Sequence, residues 1–210
     1  MTSTRQLFLD AAASAAALLR APAVATRWNA DSALPKFTVS GLAGHLAWQV
    51  TIVSRLLADH EPEAKPTSLL EHYTQAVWIG ASLDDDLNVG IRQIGEATAE
   101  GGPDELAARV EAAIAELHGL LPAEPAGRIV RMASFVLSLD DFLTTRILEI
   151  AVHSDDLAVS VGVPTPELPT AATDAVLVLL TRLAAHRHGP TAVLRALSRP
   201  ERAPATIAGI

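Results

Sequence analysis

The chain of 210 residues has no cysteine, which excludes a disulfide framework and any zinc site built on thiolates. Lysine occurs only as Lys36 and Lys65, and the formal net charge is -8. With no basic run to neutralise a phosphate backbone, nucleic-acid binding is excluded, and so is docking on an anionic membrane surface. No uninterrupted apolar run reaches the ~18–20 residues that span a bilayer. Aromatic residues make up 4% of the chain, and strand-like alternation of β-branched residues is scarce. What remains is a core of alanine and leucine, with half of all residues hydrophobic, and this composition points to an all-α fold. The lack of cysteine is consistent with a reducing cytoplasm, the expected location.

The N-terminal "AAASAAALL" at 11–19 superficially resembles a signal peptide. Asp10 precedes it and Arg20 interrupts it, so a first amphipathic helix over 3–20 is expected instead. An irregular link with Pro22 and Pro35 follows. A second helix runs from the N-cap candidate Thr38 to about His60, and a third from Leu69 to Glu100, with a break near "LDDD" at 83–86. A shorter helix starts at Pro103 and ends near Leu121, before a loop at 121–127. The fourth principal helix covers 138–161, and two more fit 170–187 and 190–199. The expected architecture is a four-helix bundle over 1–162, with a helical C-terminal extension over 163–210 packed on it.

The segment "TTRILEIAVHSDDLAV" at 144–159 carries polar groups in an unusual place. At about 100° per residue, His153 lies about 40° and Asp156 about -20° from Glu149. Apolar residues border this stripe on both sides, which a solvated helix face would not show. A carboxylate and an imidazole one turn apart on an interior face can chelate a divalent metal. The best further donor is His45, on a seam formed by Thr38, Leu42, His45, Gln49, Ile52 and Leu56. A Glu–His ion pair explains the spacing equally well without a metal. His60, His72, His118, His186 and His188 are expected at the surface, with "HRH" at 186–188 a weaker alternative metal clip.

"RWNADSALPKFTVSGLAGHLAW" at 27–48 resembles the start of the mycothiol-dependent maleylpyruvate isomerase N-terminal family, within the DinB-like superfamily. Trp28, Thr38-Val39 and the Leu42-x2-His45-Leu46 segment carry the likeness. "TRILEIAVHSDDLA" at 145–158 resembles the family's second segment through Arg146, Glu149, His153, Asp156 and Leu157. The likeness covers roughly residues 5–160, and the two motifs lie about a hundred residues apart. It implies a DinB-like four-helix bundle and a metal triad of His45, Glu149 and His153. Zinc is the expected ion, and nickel, manganese and iron also suit two histidines and a carboxylate. It also implies a low-molecular-weight thiol, mycothiol or similar, as co-substrate. The full-length isomerases carry a further α/β domain, where this chain continues into predicted helices.

These readings together give a thiol-dependent transferase or isomerase acting on a small electrophile. Asp156 is expected to orient a ligand from outside the triad or to stand as a helix-surface charge. Arg146 is expected to bind an anionic substrate group or to pair with Glu149 or Asp140. The alternative is a non-enzymatic metal- or ligand-binding bundle. The apolar "AVLVLLTRLAA" at 175–185 suggests a homodimer under either reading.

Overall fold

In the computed structural model, which describes residues 3–77 and 79–210, the chain is almost wholly helical. Four long helices make the bundle: α1 (Thr4–Leu19), α3 (Val39–Ala58), α6 (Gly102–Ala123) and α7 (Leu139–Val161). α1 packs on α6 and α7, and α3 packs on the same two helices. Phe8, Ala11, Ala12 and Ala15 of α1 share one continuous buried core with Leu143, Ile147 and Ile150 of α7. Alanines on one face of α1 let the backbones approach closely while leucines fill the remaining space.

The third bundle helix differs from the one expected. The segment 69–100, expected as a helix with a break near 83–86, forms two separate helices, α4 (Leu69–Thr74) and α5 (Asp86–Thr98), with α5 starting at the expected break and α4 ending well before it. Gly80 between them has a φ of 81°, and the Asp85 side chain caps α5 by accepting from Leu87 N at 3.0 Å. These local signals override a helix that periodicity alone would continue. Trp78, inside the expected helix, lies outside the described residues. The helix after Gly101 takes the place in the bundle instead and runs through Pro122 to Ala123.

Two further elements were not expected. The link before α3 contains the short helix α2 (Pro22–Thr26). Residues 129–138 form an antiparallel hairpin, β1 (Ile129–Met132) and β2 (Phe135–Ser138), turning at Ala133 with a φ of 51°. Four residues per strand are too few for periodicity to reveal them. The side chain of Ser138 then caps α7 by accepting from Asp141 N at 3.0 Å.

The start of α3 is fixed from several directions. Trp28 O and Ala30 O accept from the backbone N–H groups of Ser40 and Val39 at 2.9 and 2.8 Å, satisfying donors that a helix N-terminus leaves open. Thr38 Oγ1 accepts from Gly41 N at 2.9 Å and donates to Glu96 Oε1 of α5 at 2.6 Å. No acidic residue stands three positions after Thr38, and Glu96 supplies a carboxylate from another helix. A Cβ on Gly41 would overlap the Glu96 carboxylate, and one on Gly44 would overlap the Gly95 carbonyl. Glycine at these positions brings α3 and α5 into backbone contact.

Beyond Gly162, α8 (Thr170–His188) packs on α7, α4 and α1, and α9 (Pro190–Ser198) packs on α8. A single 3-10 turn, Pro200–Arg202, precedes an extended tail. Among the described residues no helix is long and apolar enough to cross a membrane.

Candidate metal centre

The middle of α7 presents Glu149 and His153 one turn apart, and α3 presents His45 across the bundle. The three side chains converge, with one ligand atom from each lying within 4.8 Å of the other two. His153 Nε2 is 3.2 Å from Glu149 Oε2, and His45 Nε2 is 4.0 Å from the same oxygen. The two imidazole rings meet edge to face with centroids 4.6 Å apart. Their side chains retain only 11–16% of their free exposure, so the cluster is largely shielded from solvent. Among the described residues this is the group of histidines and acids suited to a metal ion.

The donor set fits a divalent ion. Zinc bonds of about 2.0–2.2 Å in a tetrahedron put neighbouring donors about 3.3 Å apart. The observed separations need only small side-chain rotations to reach that value. Two neutral imidazoles and one carboxylate are a common catalytic set, and three protein donors leave a fourth position open.

Charge is strongly organised here. Burial opposes ionisation of Glu149, yet the hydrogen bond and charge of His153, with Arg146 and His45, hold its carboxyl down at about 2. Burial likewise opposes the His153 imidazolium, but hydrogen bonds to Asp156 and Glu149 and their charges raise it to about 9. His45 is pushed down to about 3, by burial first and then by the His153 charge. In the metal-free protein at neutral pH a protonated His153 therefore lies between two carboxylates, beside a neutral His45. His153 Nδ1 donates to Asp156 Oδ2 at 3.0 Å, which turns Nε2 toward Glu149. Asp156 thus stands where a carboxylate orients a ligating histidine.

Arg146 forms neither of the intrahelical ion pairs that its position suggested. Asp140 pairs with Arg5 at 3.3 Å. Arg146 is 5% exposed and packs its guanidinium near the rings of Phe142 and Trp48, 5.1 and 5.9 Å from their centroids. Its Nε donates to Thr145 Oγ1 at 3.0 Å, and its Nη1 donates to Gln49 Oε1. Gln49 was legible in the sequence only as a member of the α3 seam.

His72 also departs from expectation. It is half-buried rather than at the surface, with its ring 4.2 Å from that of Phe135 in β2. Its pKa is lowered, by burial and then by the nearby Arg146 charge. The adjacent Tyr73 is buried, and its phenol is pushed up by burial and by Glu149. Helix α4 and the hairpin therefore pack on α7 near enough for the Glu149 and Arg146 charges to act on His72 and Tyr73, which no local pattern in "LLEHYT" announces. His60, His118 and His186 are exposed. His188 lies 2.8 Å from Ala208 O, and neither it nor His186 joins a cluster suited to a metal.

The sequence model of the family described as "Mycothiol maleylpyruvate isomerase N-terminal domain" matches residues 8–158. Among solved structures the chain is similar to a mutant of the mycothiol-dependent maleylpyruvate isomerase, with a TM-score of 0.52 at 17% identity. That likeness covers 89% of this chain and 72% of the other, and at this identity it is a likeness of fold. No curated protein matches the chain.

Proposed function

The chain belongs to the mycothiol maleylpyruvate isomerase N-terminal domain family, and from that premise we propose a divalent-metal-dependent transferase or isomerase that uses a mycothiol-type thiol on a small electrophilic substrate. One observation carries the reading: His45, Glu149 and His153, from two helices about a hundred residues apart in sequence, bring ligand atoms within 4.8 Å of one another. These three residues hold the ion, which we take to be zinc, with nickel, manganese and iron compatible with the same donors. A divalent ion bound here supplies positive charge that lowers the pKa of a coordinated thiol or water.

The chain's own groups do the rest. Glu149 neutralises part of the ion's charge. Asp156 holds His153 Nδ1 and keeps Nε2 directed at the site. Arg146 has no carboxylate within ion-pair distance among the described residues, which supports a role in attracting an anionic group of the substrate. His72 packs on Phe135 within reach of the Arg146 charge. We assign residues 1–162 to the metal-binding bundle and 163–210 to an extension that packs on it through α8. A low-molecular-weight thiol requires a reducing compartment, which supports a cytoplasmic location. Exposed Leu177, Val178, Leu194 and Leu197 on α8 and α9 support a homodimer through this end.

Elemental analysis after gentle purification tests the metal, and about one ion per chain is expected. Protein that contains no metal and takes none up on titration removes the proposal. Thiol consumption with a panel of small electrophiles tests the chemistry. Stoichiometric metal without thiol turnover selects the non-enzymatic alternative.

A further inference from the structure

We infer that Gln49 is a positioning residue that sets the tautomer of His45, and that Arg146 controls it. Gln49 is 1% exposed, so its amide must find partners inside the protein. A guanidinium only donates hydrogen bonds. The atom of Gln49 that faces Arg146 Nη1 is therefore the carbonyl oxygen Oε1. The other end of the amide is then Nε2, which also only donates. Nε2 lies 3.1 Å from His45 O and 3.1 Å from His45 Nε2. Two amide hydrogens meet two acceptors, and His45 Nε2 must be one of them.

A neutral imidazole has one protonated and one unprotonated nitrogen. With the lone pair on Nε2, the proton of His45 sits on Nδ1. Nε2 is also the atom that faces Glu149 Oε2 at 4.0 Å. A cation at Arg146 thus fixes, through one amide, which nitrogen of His45 presents a lone pair to the cluster. Only an unprotonated nitrogen can ligate a metal. The Gln49 N–H occupies that lone pair in the metal-free protein and keeps it out of the wrong tautomer. Use of the lone pair as a metal donor rests on the function proposed above, whereas the tautomer itself does not.

Long-range proton–nitrogen NMR of the metal-free full chain at neutral pH reads the tautomer directly, with the His45 signals assigned by their loss in His45→Gln. The expected result is a protonated Nδ1 and an unprotonated Nε2. A protonated Nε2 in the wild type overturns the inference. Arg146→Met removes the donor to Gln49 Oε1 and leaves His45 O as the remaining restraint on the amide, and the His45 shifts should move part of the way toward a mixture of tautomers. Arg146→Lys, still a pure donor, should restore the wild-type pattern. An unchanged tautomer in Arg146→Met overturns the control assigned to Arg146.

Gln49→Glu decides the matter if Arg146→Met does not fold. Its carboxylate still accepts from Arg146, but toward His45 it can only accept, so a proton is expected on His45 Nε2. An unprotonated Nε2 in that variant overturns the inference. Zinc titration of the same samples separates the two levels of the argument. An equal mixture of tautomers halves the competent fraction and weakens zinc binding about twofold. A wild type with the expected tautomer and no zinc uptake would end the metal proposal and leave this one standing.

Discussion

The two faces of α7 divide the labour of the protein. One face carries Leu143, Ile147 and Ile150, buried in the same apolar core as Phe8, Ala11, Ala12 and Ala15 of α1. The other carries Arg146, Glu149 and His153 toward His45 and Gln49 of α3, where hydrogen bonds join Arg146 to Gln49, Gln49 to His45 and His153 to Glu149. Apolar burial on the first face gives stability without direction. On the second, buried charge costs desolvation, which charge partners offset without large net stability. The difference assigns stability chiefly to the α1 side and, under the function proposed above, binding to the α3 side.

Variants on each face should break that division cleanly. The largest effect expected is on binding. His153→Ala removes one of three proposed donors and should abolish tight zinc uptake, measured by competition with a chelating dye. It also leaves Glu149 without its cationic partner, so the folded-state pKa of Glu149 rises. The variant should therefore be destabilised at neutral pH and regain part of that loss as the pH falls. Retention of wild-type zinc affinity would sink the assigned role of His153.

On the α1 side, Phe8→Ala should cost about 3–5 kcal/mol in chemical denaturation. Its zinc affinity per folded molecule should stay unchanged. A large loss of affinity in this variant would mean that the two faces are coupled. Gly44→Ala, at the close approach to Gly95, should cost a smaller ~1–3 kcal/mol through overpacking. Because Gly44 adjoins His45, it should also weaken zinc binding, whereas Phe8→Ala should not.

The gentlest probe is pH. His153 is raised from 6.5 to about 9, so its stabilising contribution is complete below about 6.5 and lost as the pH rises through about 9. His45 is lowered to about 3, and its neutral form is stabilised in the folded state, so stability falls as the pH drops from 6.5 toward 3. Glu149 adds to the acid loss as the pH falls from 4.5 toward 2. Melting of metal-free protein should therefore be highest near neutral pH and decline toward pH 9. Zinc, which takes the place of the His153 proton, should raise the melting point more at pH 9 than at pH 6. Equal shifts at both pH values would contradict this competition.

The parts of this molecule that were legible in advance are those written in local periodicity. The seam of α3 and the stripe of α7 each place their donors by helical geometry, and two seams in one bundle have to face each other. That geometry makes His45 the best candidate beside Glu149 and His153, and the resemblance to the family names the three together as a triad. The break before α5 is legible in "LDDD" at 83–86, whereas the early end of α4 at Thr74 is not, because it is a short signal inside a longer apolar pattern. The hairpin was missed for the same reason of scale. The packing of α4 and the hairpin on α7 depends on contacts between elements distant in sequence, which periodicity does not encode. Gln49 was visible as a seam residue, but its role depends on the atom of Arg146 that it meets.

Helix α3 starts on a cap whose carboxylate partner lies 58 residues downstream, since Glu96 of α5 accepts from Thr38 Oγ1. The Thr38 hydroxyl therefore gains its carboxylate acceptor only once α5 has docked, and α5 approaches α3 closely at the bare backbone of Gly41 and Gly44. Opening of the two should be one event. Amide protons at 39–45 and those at 95–99 should then exchange with solvent through a shared transition. His45 sits at the edge of that cooperative unit, so each excursion of α5 from the bundle also loosens its hold on the histidine that faces Glu149.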